Sequence, residues 1–185
     1  MNIRFAILGL LRAKSMSGYD IKKAMQKAPH LLWSGNNNQV YTTLLSLCRE
    51  GALTSETIHQ TSGPSKKVYR ITETGQHLLL QAFQTAEVTS PDYRNWFLLL
   101  WSHIDLLDET ESAALLHAYC EAVRGQLRYE EERIRREQNR KFETAKEQLI
   151  HNRINTHVLQ FYQNELTWIQ ETQALWSQLG KEASQ

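Results

Sequence analysis

Three consecutive amides, Asn36, Asn37 and Asn38, stand directly before QVYTTLLSLCREG. With Gln39, Tyr41 and Thr42 they place six hydrogen-bonding side chains in seven positions. Groups that both donate and accept read base-pair edges, and with cations they hold phosphate oxygens. Downstream, Lys66, Lys67 and Arg70 fall within five residues, a local basic cluster. The chain offers little else that could do chemistry. His30, His59, His77, His103, His117, His151 and His157 are scattered; none forms HExxH, and none pairs with cysteine at ligand spacing. Cys48 and Cys120 are far apart and read as reduced thiols. No GxSxG, P-loop or dinucleotide glycine pattern is present, so no enzyme activity, metal or cofactor is expected.

The elements that must carry the amides follow from periodicity. Residues 3–13 read as a first helix with Phe5, Ile7, Leu8 and Leu11 on its apolar stripe. MSGYDIKKAMQKA reads as a second helix, capped by Ser17, with Asp20 in its first turn and Pro29 as its stop. In the third, Asn36 and Gln39 have capping-box spacing, Val40, Leu44 and Leu47 make the buried stripe, and Gly51 supplies a left-handed stop. Asn38, Thr42 and Arg49 then fall opposite the stripe, with Asn37 and Tyr41 on its flanks. A solvated polar helix face would account for this helix taken alone. ALTSETIHQ and SKKVYRIT, joined by TSGP, read as a β-hairpin, and Thr72 caps a following helix. Three short helices followed by a basic hairpin make a winged helix-turn-helix pattern, in which the third helix enters the major groove and the wing meets the backbone. Charge agrees: residues 1–84 hold 10 Lys+Arg against 4 Asp+Glu, net +6, whereas residues 85–185 hold 11 against 16, net −5. A polyanion partner is expected for the first part only.

The expected fold is mainly α with a small β-hairpin wing: a winged helix-turn-helix over residues 1–86 and a helical dimerisation domain over residues 87–185. In the second part, PDYRNWFLLLWSHIDLL reads as an aromatic amphipathic helix, and a new start follows at DETESAALL. A charged helix is then expected to run on through EERIRREQNRKFETAKEQL, with residues 133–141 forming a solvated face. The last helix, 152–179, places Ile154, Val158, Phe161, Trp168, Leu175 and Leu179 on a seam interrupted by Glu165 and Thr172. Such a hairpin of long helices economically pairs with a second copy. Trp96, Phe97, Trp101, Tyr119 and Trp168 read as core or dimer seam, or as a ligand cage oriented by Tyr93, Arg94 or His103. No apolar run reaches the length of a membrane span, no signal peptide is recognised, and a cytoplasmic location is expected.

Several stretches resemble the PadR family of bacterial transcription regulators. ILGLL, SGYDI, Trp33, QVYTTL, Gly51 and KKVYRITETG occur in that family's order and spacing, and the part starting NWFLLLW is similar in layout to the helical virulence-activator-type domain of its longer branch. The resemblance implies a homodimeric winged-helix protein on double-stranded, palindromic operator DNA. It also implies a repressor role and, in some members, release by a small aromatic or hydrophobic effector. It assigns Tyr19 to the second-helix tyrosine that buttresses or touches the phosphate backbone, Asn36 to the cap, Gln39 and Tyr41 to the recognition helix, and Lys66 and Lys67 to the wing. Asn37 and Asn38 become exposed DNA contacts. Asn38 stands for the usual glycine, Thr42 for proline, Leu45–Ser46 for a pair often basic, and Gly63 for arginine. The charges lost at Leu45, Ser46 and Gly63 imply weaker phosphate attraction and keep a second class open, a winged-helix dimer that binds another protein, while Asn38 and Thr42 shift which bases are read.

Overall fold

The structure is a computed structural model and describes residues 3–27, 37–60, 63–88, 90–91 and 94–183. Asn2, Pro29, His30, Trp33, Asn36 and Tyr93 lie outside the described residues. The chain forms two units, Met1–Ser90 and Pro91–Gln185.

In the first unit, α1 (Ile3–Ala13), β1 (Met16–Ser17), α2 (Gly18–Lys27), α3 (Asn37–Arg49), β2 (Leu53–Gln60), β3 (Gly63–Ile71) and α4 (Glu73–Gln84) follow in order. The sheet runs β1-β3-β2, antiparallel throughout. The core is made where the apolar stripes of the helices meet: Ile7 and Leu8 from α1, Ile21 and Met25 from α2, and Val40, Leu44 and Leu47 from α3 are all essentially inaccessible. Each such side chain contributes about 1.5–3 kcal/mol by leaving water, which fixes the faces these helices turn outward. Strand β1 is too short for any periodic signal and is absent from the expected elements. Its pairing of Ser17 with Val68 lets Ser17 act both as strand residue and as helix cap, its Oγ accepting from Asp20 N at 3.2 Å.

The end of α3 is built from backbone. Gly51 has φ 72°, Ala52 N donates to Leu47 O at 2.9 Å, and Gly51 N to Cys48 O at 3.1 Å. This is a Schellman ending, and it needs the left-handed residue that glycine supplies. Thr72 then locks α4 onto it: its N–H donates to Ala52 O at 3.1 Å and its hydroxyl to Gly51 O at 2.7 Å. Thr72 Oγ1 also caps Gly75 N at 3.1 Å. A Cβ on Gly75 would lie 2.2 Å from Ala52 O, so this close approach admits only glycine.

The second unit contains α5 (Trp96–Trp101), a 3-10 turn at Ile104–Leu106, α6 (Glu109–Arg136) and α7 (Ala145–Ala183). Three expectations change here. The aromatic segment forms only a six-residue helix, capped by Asn95, whose Oδ1 accepts from Phe97 N at 2.9 Å. The charged helix does not run on: α6 stops at Arg136 and α7 starts at Ala145. Thr144 accepts from Glu147 N at 3.1 Å, and Glu147 reaches back to Glu143 N at 3.1 Å, so TAKE is a helix start of the S/T-x-x-E kind. Third, the charged run is not wholly a solvated face. Glu130 is 2% exposed and accepts from Gln126 at 3.1 Å and from Arg133 at 2.7 Å, while Arg133 also donates to Asn155 of α7 at 2.9 Å. Arg135 and Arg136, both on Glu132, and Arg140 beyond them remain on the solvent side.

The seam of α7 also divides in two. Asn155, Val158 and Ile169 are buried, and the half-buried Tyr162 and Trp176 share their side. At 100° per residue, Ile150, Phe161, Trp168, Leu175 and Leu179 lie about 80–120° to one side of Ile169. Ile150, Phe161, Leu175 and Leu179 are 52%, 46%, 62% and 59% exposed, a second apolar stripe beside the first.

Candidate nucleic-acid interface

Because Val40, Leu44 and Leu47 face the core, α3 turns Asn38, Gln39, Tyr41, Thr42, Leu45 and Arg49 outward. Asn37 opens the helix. Thr42 Oγ1 donates to Asn38 O at 2.8 Å, so the hydroxyl hydrogen is used within the helix and the oxygen faces out as an acceptor beside its methyl group. Tyr41 lies against the first residue of α2: a Cβ on Gly18 would come within 2.6 Å of Tyr41 Cε1. Gly18 therefore sets where the Tyr41 ring rests. Tyr19, next along, is 63% exposed at the start of α2. Helix starts of this kind carry partial positive charge and suit phosphate.

The C-terminal end of α3 is pinned from outside. Glu50 receives Arg4 of α1 through both terminal guanidinium nitrogens, and Ser46 donates to it at 2.7 Å. Arg4, then Ser46, hold its carboxyl at about 2, well below the usual range. The wing is tied in a parallel way. Lys66 Nζ lies 2.9 Å from Asp20 Oδ2, and Ser17 Oγ donates to the same oxygen at 2.6 Å. Ser17 first and Lys66 second hold the Asp20 carboxyl at about 2. Lys67, on the opposite face of β3, is exposed and extends over the Tyr69 ring, 5.8 Å from its centroid. Arg70 Nε donates to Ser15 Oγ at 3.3 Å. The structure thus brings Tyr19, Tyr41 and the wing lysines around α2 and α3, but gives Lys66 and Lys67 different surroundings.

In the second unit, Phe97 stacks on Tyr119 with centroids 3.7 Å apart and meets Trp168 edge-on at 6.1 Å. Trp101 packs on Trp176 at 5.4 Å. Trp96 stands outside this cluster, 70% exposed. Tyr119 Oη donates to Glu165 Oε1 at 2.5 Å, and Asn95 Nδ2 donates to Tyr119 Oη at 2.7 Å and to Glu165 at 3.1 Å. Glu165 is therefore an acceptor within the aromatic cluster. Sequence reasoning passed over Gly18 and Asn95, took Asp20 only as a first-turn acid, and took Glu165 only as a break in the α7 seam. The SGYD spacing signalled the Ser17–Asp20 pair, but nothing local signalled the others. Among the described residues no group of three or more His, Cys, Asp or Glu could hold a metal ion, and no helix is long and apolar enough to cross a membrane.

Comparison with known proteins fits this geometry. Residues 7–81 match the transcriptional regulator PadR-like family. The chain is 31% identical over 113 residues to the negative transcriptional regulator PadR of Bacillus subtilis, an alignment covering 61% of this chain and 62% of that relative. By structure it is similar to Bacillus subtilis PadR in complex with operator DNA, with TM-score 0.78, 24% identity and 94% and 98% of the two chains covered. The same protein in complex with p-coumaric acid gives TM-score 0.72 at 24% identity, covering 95% and 98%. The virulence activator AphA of Vibrio cholerae gives 0.70 at 20% identity, covering 96% and 99%. At these identities the structural likenesses establish a shared fold.

Proposed function

We propose that this chain, a member of the PadR-like family of transcriptional regulators through residues 7–81, binds operator DNA as a homodimer and represses transcription. The observation that carries the reading is the outward face of α3. Asn38, Gln39, Tyr41 and Thr42 are all exposed there, while the helix is anchored behind by a buried stripe and at its end by Gly51, Glu50 and Thr72. Asn37 and the cap residue Asn36 belong to the same approach, by sequence position. Amides and hydroxyls on a rigid helix distinguish bases, and an asparagine bonded through both side-chain atoms favours adenine.

The stripe of Phe161, Trp168, Leu175 and Leu179 is the surface on which a second copy would pair, giving two reading heads for a palindromic operator. Bacillus subtilis PadR forms a complex with p-coumaric acid; in this chain a small aromatic effector would act at the cluster of Phe97, Tyr119 and Trp168. Entering it means parting the Phe97–Tyr119 stack and shifting α5 on α6. The test is Asn38→Ala across a set of single-base operator variants. Loss of about 1–3 kcal/mol of preference at one position supports base reading by Asn38. Equal weakening on every sequence would contradict it.

A further inference from the structure

We propose that Asp20 is a positioning residue that withholds Lys66 from the phosphate backbone, so that the wing meets DNA with one free lysine, Lys67. This rests on the DNA-binding reading above. The two lysines are adjacent in sequence, and β3 turns them to opposite faces. Pairing of Ser17 with Val68 brings the first turn of α2 beside the face that carries Lys66, two residues from Val68. There Asp20 Oδ2 accepts from both Lys66 Nζ, at 2.9 Å, and Ser17 Oγ, at 2.6 Å.

The carboxylate cannot follow the lysine toward a phosphate. Ser17 is 5% exposed and ladder-bound, and it holds Asp20 by side chain and backbone together. If Lys66 swings away, a fixed negative charge is left at the helix start beside Tyr19, where a phosphate would approach. Whichever way Lys66 points, the pair brings no net positive charge to the backbone. Among the described residues Lys67 has no carboxylate partner on its own face of β3; its Nζ lies over the Tyr69 ring, 5.8 Å from the centroid, and the residue is exposed. The contribution of the two wing lysines to counterion release is thus close to one phosphate, not two.

The experiment compares wild type, Asp20→Asn, the double variant Asp20→Asn/Lys66→Met, and Glu73→Gln as a control for one lost charge elsewhere in the same unit. Asparagine keeps an acceptor for Ser17, so the cap survives. The readout is the slope of log affinity against log salt on duplex DNA, with salt of elution from heparin as a base-free second polyanion. Asp20→Asn should steepen the slope by about 0.9, the amount for one further phosphate. The double variant should return to the wild-type slope, and Glu73→Gln should barely move it. On heparin, Asp20→Asn should elute later than wild type, the double variant and Glu73→Gln. An unchanged slope and elution in Asp20→Asn would overturn the proposal, as would a steepening that survives in the double variant. A wild type that binds no DNA would instead refute the DNA-binding reading, and the heparin order would still decide the role of Asp20.

Discussion

Gly18→Ala separates affinity from stability. A Cβ there would lie 2.6 Å from Tyr41 Cε1 and 3.3 Å from Cδ1. Carbon contacts settle near about 3.5–4.0 Å, so the ring has to retreat by about 1 Å or turn. It has room, because Tyr41 is 44% exposed, and an off-rotamer position costs about 0.5–1.5 kcal/mol. Against that, replacing glycine by alanine within a helix gains about 1 kcal/mol, less at this first position. The two effects nearly offset, and the urea midpoint should stay within about 1 kcal/mol of wild type. DNA affinity should not stay. With Tyr41 proposed to donate to a backbone phosphate, moving its ring off that charged partner forfeits about 1.5–3 kcal/mol, roughly a tenfold to hundredfold loss per half-site. The assay is operator titration by fluorescence anisotropy beside urea unfolding, with Tyr41→Ala and the double variant completing a cycle. In the Tyr41→Ala background Gly18→Ala should cost no further affinity. Wild-type affinity in Gly18→Ala, or a loss of affinity that merely tracks lost stability, would refute the claim that Gly18 acts through Tyr41.

The other glycine contact points the opposite way. Gly75→Ala sets a Cβ against backbone, at 2.2 Å from Ala52 O, and should cost about 1–3 kcal/mol, seen as a lower melting temperature; a shift within about 0.5 kcal/mol would contradict the packing described. Acid should weaken the first unit: Asp20 and Glu50 are held at about 2 against ordinary values of 3.8 and 4.5, so their stabilisation is complete above about pH 4.5 and lost as pH falls through about 2. A urea midpoint that falls over this range in wild type, and less in Asp20→Asn/Glu50→Gln, is the expected result. In the second unit burial first, then Arg140, lower the pKa of His151 from 6.5, so the folded chain favours its neutral form and stability should fall as pH drops below about 6.5. His151→Gln should remove that component of the pH profile. Leu175→Glu, which puts a charge on the exposed stripe of α7 and acts twice in a two-fold dimer, should weaken self-association at least tenfold by sedimentation while leaving the helix content unchanged.

What the sequence made legible was whatever repeats or punctuates locally. The stripe of Val40, Leu44 and Leu47, the stop at Gly51 and the cap at Thr72 are each visible within a few residues, and each stands in the structure as expected. Strand β1 was not legible, because two residues carry no period and its partner lies about fifty positions away. The break between α6 and α7 was written in Thr144 and Glu147, but the dense Glu and Arg spacing around it reads as continuous helix. The α7 seam merged two faces, because residues seven apart stay aligned while Val158 and Phe161, three apart, diverge by about 60°. Within the candidate site, residue types pointed to the outward face of α3. Contacts between distant segments, such as Lys66 on Asp20, Gly18 under Tyr41 and Glu165 on Tyr119, follow only from the fold.

The central claim is sequence-selective DNA binding through α3 and the wing. Its most direct test is fluorescence anisotropy of the purified chain on labelled DNA from immediately upstream of its own gene, at two salt concentrations, beside a scrambled duplex of equal length. Selective binding that weakens steeply with salt is the predicted result. Equal, salt-insensitive binding to both duplexes, persisting on fragments selected from the whole genome, would contradict it and favour a winged-helix dimer whose partner is another protein.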